Sequence, residues 1–323
     1  MSYRVTALFI LLLAGVLPVG HAQLCRVADG VLPAGATEAN SIASDGSQFV
    51  LVTDNNRLYT SDDAVLWTER LAQGGISSIY NTEWTGLEFV GMRGRTISVS
   101  PDGITWEDQT PNTAFNVVGV AWDGLQTVVA GNFFNALNLS VRPDGGTWSA
   151  IDYDSPSALS DIIWDGTQFI AAAGGGIVLT SPDAVTWTEQ SIGTTTAVGK
   201  FATDGTVVMA MAGSTPYLST DGVMWTEGTS PGFLVSELVW VGQFIAGGID
   251  FGTNEATVAV SDDGTDWIMR SIEVAESQVV ELAGNGDKVL AVTQRRFQNG
   301  PPNAFIELGV CPVAEEIFSD SFE

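Results

Sequence analysis

Ser100-Pro-Asp-Gly-Ile-Thr-Trp106 is one copy of the segment that decides the fold of this 323-residue chain, because it recurs at nearly regular intervals. Successive copies lie 39, 42, 39, 38 and 42 residues apart and end at Trp67, Trp106, Trp148, Trp187, Trp225 and Trp267. An aspartate in each copy is suited to accept hydrogen bonds from the N–H groups of a tight turn, and the six are Asp63, Asp102, Asp144, Asp183, Asp221 and Asp263. The large tryptophan ring then packs between neighbouring sheets. The pattern predicts a repeat protein with a unit of about 40 residues.

A second turn signal occurs seven times, each time between two short apolar runs. The pairs are Asp45-Gly46, Thr85-Gly86, Asp123-Gly124, Asp165-Gly166, Asp204-Gly205, Val241-Gly242 and Asn285-Gly286. Each repeat therefore has four strands, with one turn signal between the first two and the other between the last two. Such units cannot bury both faces alone and must stack into a ring. We predict an all-β, seven-bladed β-propeller of four-stranded blades, with a six-bladed propeller and an open β-solenoid as alternatives.

The two ends of the repeat region complete one blade. The segment 25–31 has the position of a last strand, whereas 289–293 and 304–309 have the positions of second and third strands. Cys25 and Cys311 fall where the other repeats have their aspartate turn, and in an oxidising compartment a disulfide would replace that turn. Closing so long a loop would stabilise the fold by about 5 kcal/mol. Two free thiols or an intermolecular bridge are the alternatives.

Residues 1–22 have the features of a secretory signal: Arg4, an apolar run, and Gly20-His21-Ala22 as a small-residue cleavage site. We predict a protein exported to the periplasm, the medium or the cell surface, without a membrane span after cleavage; an uncleaved anchor is the alternative. The propeller then occupies residues 23–311, and 312–323 form an acidic tail.

Cleavage would remove Arg4 and the single histidine, leaving 11 basic and 38 acidic residues. Without histidine, Ser–His and Cys–His nucleophile pairs and imidazole metal ligands are excluded. The strong negative charge disfavours nucleic acid as a partner and favours a soluble monomer.

The aspartate turns resemble the Asp-box, or BNR, repeats of sialidases, sortilin-type receptors and photosystem II assembly propellers. The resemblance covers residues 25–311, with one residue fewer than the usual spacing and with alanine for glycine at Ala64 and Ala184. It implies a propeller in which these turns are structural and peripheral. Sialidase chemistry needs three arginines, a tyrosine with a glutamate, and an aspartate acid. The arginines in suitable loops are only Arg93, Arg95, Arg295 and Arg296, so the resemblance does not carry that activity over.

One column of residues is predicted to line the channel. Four positions before each pair of the second signal stand Ser41, Asn81, Gly119, Asp161, Lys200, Glu237 and Glu281. Crowded carboxylates raise one another's pKa, so Asp161, Glu237 and Glu281 with Lys200 are candidate catalytic groups. The same oxygens would also suit Ca²⁺, although we expect no cofactor. A merely water-filled channel is the alternative.

Several aromatic residues stand in polar loops, which suits contact with a sugar or a protein. They are Phe133, Phe134, Tyr153 and Phe251, and the four loop arginines join them as candidate binding residues. We predict a non-catalytic binding or scaffold module for a protein or glycan. A sialidase-like glycoside hydrolase and a structural module of the cell envelope remain as alternatives.

Overall fold

The computed structural model of the chain describes residues 24–30, 32–34, 36, 38–53, 57–70, 79–111, 116–132, 138–153, 156–285, 288–296 and 304–310. Within these ranges the chain forms seven antiparallel sheets of four strands each. Seven blades are therefore confirmed, and the six-bladed alternative is wrong.

The chain enters the ring through β1 (Leu24–Asp29) and then builds six blades in order, each from the channel outward. The strands of blades 1 to 3 are β2 (Ala39–Ser44), β3 (Phe49–Thr53), β4 (Leu58–Ser61), β5 (Thr68–Arg70); β6 (Asn81–Trp84), β7 (Phe89–Arg93), β8 (Thr96–Ser100), β9 (Glu107–Gln109); and β10 (Val117–Trp122), β11 (Gln126–Gly131), β12 (Leu139–Pro143), β13 (Ser149–Ala150).

Blades 4 to 6 repeat this order, with a short 3₁₀ turn at Gly174–Gly176 in blade 4. Their strands are β14 (Leu159–Trp164), β15 (Phe169–Ala173), β16 (Ile177–Ser181), β17 (Thr188–Ser191); β18 (Lys200–Thr203), β19 (Val208–Ala212), β20 (Thr215–Ser219), β21 (Thr226–Glu227); and β22 (Leu234–Trp240), β23 (Phe244–Asp250), β24 (Glu255–Ser261), β25 (Ile268–Ala275).

Blade 7 joins the two ends of the chain, as predicted. It consists of β26 (Ser277–Gly284), β27 (Val289–Arg295), β28 (Ala304–Val310) and, outermost, β1. The backbone of Cys25 pairs with Gly309. Cys311 lies outside the described residues, so the disulfide stays a prediction, as do the signal in residues 1–22 and the tail in residues 312–323.

The apolar core lies between neighbouring blades. Four phenylalanines at the start of second strands are fully buried, namely Phe49, Phe89, Phe169 and Phe244. Between blades 3 and 4, for example, Leu139 packs in one cluster with Ile162 and Phe169. Blade 7 packs against blade 1 in the same way, and Phe305 meets the ring of Trp67 at 5.5 Å. Each blade thus buries both of its faces only by contacting its two neighbours, as predicted for stacked four-stranded units.

The antiparallel strands give the ring two distinct faces. The turn face carries the two turns of each blade that the sequence signals mark, between the first two strands and between the last two. The loop face carries the connections between second and third strands and the connections between blades. Because every innermost strand ends at the turn face, its last residues lie at that mouth of the channel.

The aspartate turns have the predicted geometry in five copies. In the turn of Asp102, Oδ1 accepts hydrogen bonds from the N–H groups of Ile104 and Thr105 at 2.9 and 2.8 Å. Gly103 has a φ of +67°, and Ala64 and Ala184 adopt φ values of 61° and 60° at the same position. An L residue there is strained by about 1–2 kcal/mol, which the turn tolerates twice.

The turn at Asp144 differs from the other five. Its carboxylate accepts a hydrogen bond from the Trp122 indole at 3.2 Å, and the turn is closed by Gly146 N–H donating to the Pro143 carbonyl. This copy has Gly145-Gly146 after the aspartate and lacks the serine. Its aspartate therefore links two strands of blade 3 at the turn face.

Glutamine side chains join neighbouring blades on the turn face. In blade 4 the Gln168 amide donates to the Asp221 carbonyl of the next blade at 2.7 Å. Gln48 and Gln126 donate to Asp102 and Asp183 in the same way. The fourth residue of the Asp-Gly-type turn is thus a second contact that holds the ring closed.

Candidate functional site

A β-bulge places the polar column of the channel. The register of the first two strands shifts immediately before the column residue in five blades, those of Ser41, Gly119, Asp161, Glu237 and Glu281. A bulge re-aims the side chain next to it and frees part of the ladder. The column that the sequence alignment gave is therefore a recurrent structural position.

These side chains accept hydrogen bonds from the backbone of the next blade. Innermost strands are sheet edges, so some of their N–H groups point to the channel without a strand partner. Asp161 Oδ2 accepts from Phe201 N–H at 2.8 Å, and Glu281 Oε2 accepts from Ile42 N–H at 2.6 Å. Ser41 accepts likewise from Thr82 N–H at 2.7 Å. Each acceptor therefore ties one blade to the next.

Two column residues, Gly119 and Lys200, cannot serve as acceptors. In both places the column residue of the following blade accepts the hydrogen bond from its own strand. Asp161 Oδ1 accepts from Ile162 N–H at 2.9 Å, and Glu237 Oε1 accepts from Leu238 N–H at 3.0 Å. Glu237 Oε2 forms an ion pair with Lys200 Nζ at 2.9 Å. The four candidate catalytic residues thus form one network with the exposed strand edges.

Glu83 is a fifth ionisable member that the alignment missed. It stands two residues after the column residue Asn81, and Glu83 Oε2 accepts from Val120 N–H at 3.2 Å. Residues i and i+2 of a strand share a face, so strand alternation was the signal that could have found it.

Burial shifts the protonation of this network. Burial, followed by repulsion from Asp161, raises the pKa of Glu83 to about 8. Burial also raises the pKa of Asp161 to about 6, although Lys200 opposes the shift. Burial raises the pKa of Glu281 well above its ordinary value, against the hydrogen bonds that it accepts. Burial lowers the pKa of Lys200, but the attraction of Glu237, Asp161 and Glu83 outweighs it and the net shift is upward.

Glu83→Gln is expected to remove part of the pH dependence of stability. A carboxyl whose pKa is raised in the folded state favours folding below its ordinary pKa, and this contribution is lost as pH rises through about 8. Glutamine keeps an oxygen for Val120 N–H without titrating. Urea unfolding should therefore find the variant equal to wild type near pH 5 and more stable by on the order of 2 kcal/mol near pH 9.

The exposed Glu227→Gln is the matched control for this prediction and should leave the pH profile unchanged. Equal unfolding free energies for wild type and Glu83→Gln at both pH values would contradict it.

A cavity of about 510 Å³ lies between the carboxylate network and the turn face. It is bordered by the innermost strands from the column residues to their last residues. Four half-buried tryptophans border it where these strands end, and they are Trp84, Trp122, Trp164 and Trp240. Each is the last residue of an innermost strand and directly precedes the second turn signal, and we call the four the mouth tryptophans.

Three mouth tryptophans are supported by the buried phenylalanine of their own blade. The ring centroids of Trp84 and Phe89 lie 4.7 Å apart, and Trp164 and Phe169 lie 4.8 Å apart. Trp240 has the same relation to Phe244 at 4.7 Å. Among the described residues, no hydrogen bond from the indole N–H of these three was found, whereas that of Trp122 donates to Asp144. The mouth therefore offers fixed aromatic surface together with indole donors.

The loop candidates lie at the other end of the channel. Tyr153 is half-buried, packs against the core between blades 3 and 4, and its hydroxyl donates to Glu189 Oε1 at 3.1 Å. Arg93 forms an ion pair with Asp108, and Arg95 is exposed. Phe133 and Phe134 lie outside the described residues. None of the described candidates borders the cavity.

Blades 6 and 7 bring the remaining loop candidates together. Phe251 is 61% exposed, and the Arg296 guanidinium lies 5.0 Å from its ring centroid. Arg295 forms an ion pair with Glu38 at 2.9 Å. Phe251 and Arg296 thus form one exposed aromatic contact on the loop face.

Within the described ranges, no three His, Cys, Asp or Glu side chains are grouped so that they could hold a metal ion. No helix in the same ranges is long and apolar enough to cross a membrane.

The fold defines the class of the protein, a seven-bladed β-propeller, and comparisons agree. A solved structure of streptogramin B lyase matches with a TM-score of 0.71 and 9% identity, over 90% of this chain and 98% of that chain. YCF48 bound to a D1 peptide matches with a TM-score of 0.63 and 15% identity, over 90% and 97%. U3-55K matches with a TM-score of 0.66 and 12% identity, over 88% and 99%. No family model and no curated protein matches the sequence.

Proposed function

We propose that this chain is an exported, non-catalytic binding module whose ligand contacts the mouth of the channel on the turn face. The observation that carries the proposal is the cavity of about 510 Å³, bordered by four mouth tryptophans with indole donors available in three of them. Tryptophan is enriched where proteins bind their partners and is a frequent hot spot of binding energy. Export rests on the sequence of residues 1–22.

The hydrogen bonds of the network favour a structural role for its carboxylates. Asp161, Glu237 and Glu281 each accept a backbone N–H, and Glu237 also pairs with Lys200. Groups that close one blade onto the next must stay in place, whereas an acid or base must reach a substrate proton. The same contacts explain polar residues in these strands without catalysis.

The similar structures include both an enzyme, streptogramin B lyase, and a protein with a bound peptide, and the second supports a binding module. One of them, YCF48, was solved with a D1 peptide bound. The geometry of the aspartate turns also supports our proposal that the chain is a divergent Asp-box propeller. A protein or glycan ligand is compatible with both.

Trp164→Ala is expected to weaken ligand binding at least tenfold, because truncating a central interface tryptophan typically costs 2 kcal/mol or more. Peptide and glycan arrays probed with labelled protein would identify ligands, and titration calorimetry would compare the variants. Phe251→Ala is the matched control, since it removes an exposed aromatic from the loop face. Trp164→Phe keeps the packing on Phe169 and removes the indole donor, so it separates binding from folding.

The opposite pattern would overturn the placement of the site. If Phe251→Ala abolished binding and Trp164→Ala did not, the ligand would contact the loop face. Turnover of a glycoside by wild type that Glu237→Gln abolishes would replace the binding module with an enzyme.

A further inference from the structure

The turn face is acidic because aspartate stands in the aspartate turns of six blades and in four of the seven copies of the second turn signal, with Thr85, Val241 and Asn285 in the other three. The aspartates in its turns are Asp45, Asp62, Asp63, Asp102, Asp123, Asp144, Asp165, Asp183, Asp204, Asp221, Asp262, Asp263 and Asp266. In the turns of Asp63, Asp183 and Asp221, the carboxylate accepts hydrogen bonds from the backbone N–H groups three and two residues later in the chain. These hydrogen bonds hold the aspartate pKa below its ordinary value. These turns therefore stay negatively charged over the whole physiological pH range.

Basic side chains near these turns are neutralised by their own partners. Among the described residues, Arg142 and Lys288 border the turns, and they form ion pairs with Glu88 and Glu307. The carboxylates of Asp123 and Asp165, in the turns next to the channel, accept hydrogen bonds from the N–H groups of their own turns. The negative potential of the turn face is thus available to a ligand.

Exposed apolar side chains concentrate on the same face. Large hydrophobic residues that are at least 39% exposed stand in its turns, and they are Val65, Leu66, Leu87, Ile104, Leu125, Val185, Val223 and Met224. On the loop face the corresponding residues are Tyr80, Leu234 and Phe251, and Met269 stands on the outermost strand of blade 6. The turn face therefore carries an apolar rim that is interleaved with negative charge. Leu87 and Leu125 stand in the turns next to the channel, and the other six stand in the aspartate turns farther out.

We infer that the turn face binds a basic, apolar segment of a partner protein, with a lysine or arginine side chain of that segment placed between the mouth tryptophans. This inference rests on the proposed function and names its ligand class. Indole faces attract cations, and the hydrocarbon part of a lysine or arginine packs on aromatic rings. Charge complementarity with the ring of aspartates would guide and orient the segment.

Two other occupants fit the surface less well. A second copy of this chain would bring two acidic faces together, and like charges opposed across an interface cost several kcal/mol. A small polyamine would satisfy the charge but would leave the apolar rim in water. A polypeptide with alternating basic and apolar residues satisfies both.

The test uses a fluorescent peptide of alternating lysine and leucine, measured by anisotropy against the full chain. We expect saturable binding that weakens at least tenfold from about 50 mM to about 500 mM salt. The double variant Asp123→Asn and Asp165→Asn flanks Trp122 and Trp164, keeps the oxygen that accepts the turn N–H groups, and removes two charges. It should weaken binding about three- to tenfold.

Matched variants separate this surface from general stickiness. Asp250→Asn removes one charge from the loop face, where Asp250 accepts a hydrogen bond from Gly252 N–H, and should leave affinity unchanged because it lies at the other end of the channel. Leu125→Ser alters a side chain that is 76% exposed on the rim and should weaken binding without affecting folding, which thermal unfolding would verify. Equal losses in the Asp250 and Asp123/Asp165 variants would overturn the inference.

Two further probes separate the failure of the inference from that of the proposed function. An alternating glutamate and leucine peptide should not bind, and spermine should bind at least tenfold more weakly than the basic peptide. If a neutral glycan bound in a Trp164-dependent way and the basic peptide did not, the binding module would stand and the ligand class would be wrong. If no probe or array ligand depended on Trp164, both would fail.

Discussion

Lys200→Met is expected to lower the free energy of unfolding by about 3–5 kcal/mol at pH 8, because it leaves buried carboxylates without their counter-charge. Lys200 Nζ pairs with Glu237, and its charge opposes the upward pKa shifts of Glu83 and Asp161. Without it, these carboxylates repel one another in the channel once they ionise. At pH 5 more of them are protonated, and the loss should shrink to under about 2 kcal/mol.

The measurement is urea unfolding of wild type and variant at both pH values. Lys288→Met is the matched control: it breaks the ion pair with Glu307 at the outer part of blade 7 and should cost at most about 1 kcal/mol. Adding Glu237→Gln to Lys200→Met should restore part of the stability at pH 8, since glutamine keeps the oxygen for Leu238 N–H. A loss that is the same at pH 5 and pH 8 would mean that Lys200 acts through packing alone.

The channel position of Lys200 could be predicted from the sequence, but the contacts of the network around it could not. The column with Asp161, Glu237 and Glu281 was predictable because the turns fix the strand register, and strands alternate. The hydrogen bonds to the next blade were not, because they depend on a bulge and on the distance between blades. Glu83 was not predicted because in blade 2 the carboxylate of the channel stands two residues after the column position, which Asn81 occupies.

The sequence shows the mouth tryptophans but does not predict that they border one cavity. The second turn signal at Asp165-Gly166 predicts a strand that ends at Trp164, as the structure has it, but it does not predict which mouth of the channel the ring borders. That depends on the closed ring. The six tryptophans of the aspartate turns recur evenly along the chain, and such regular recurrence indicates the repeating fold. Residues that recur in only some blades carry more information about binding.

Phe169→Ala is expected to lower the free energy of unfolding by about 3–5 kcal/mol, the usual cost of removing a fully buried aromatic ring. Phe169 is completely buried and packs with Leu139 and Ile162 between blades 3 and 4. Its ring also supports Trp164 at the mouth. The variant should therefore bind the ligand of the turn face more weakly even under conditions in which it remains folded.

Val208→Ala is the matched control, since Val208 begins the second strand of the next blade and is 3% exposed. It removes less volume and should cost about 1–3 kcal/mol, without an effect on binding, because no mouth tryptophan precedes it. Urea unfolding followed by tryptophan fluorescence would measure both. In a closed ring every blade has two neighbours, so the loss should shift one cooperative transition rather than create a second. A separate early transition in Phe169→Ala would show that blade 4 unfolds alone, and the ring would then be less cooperative than its inter-blade contacts imply.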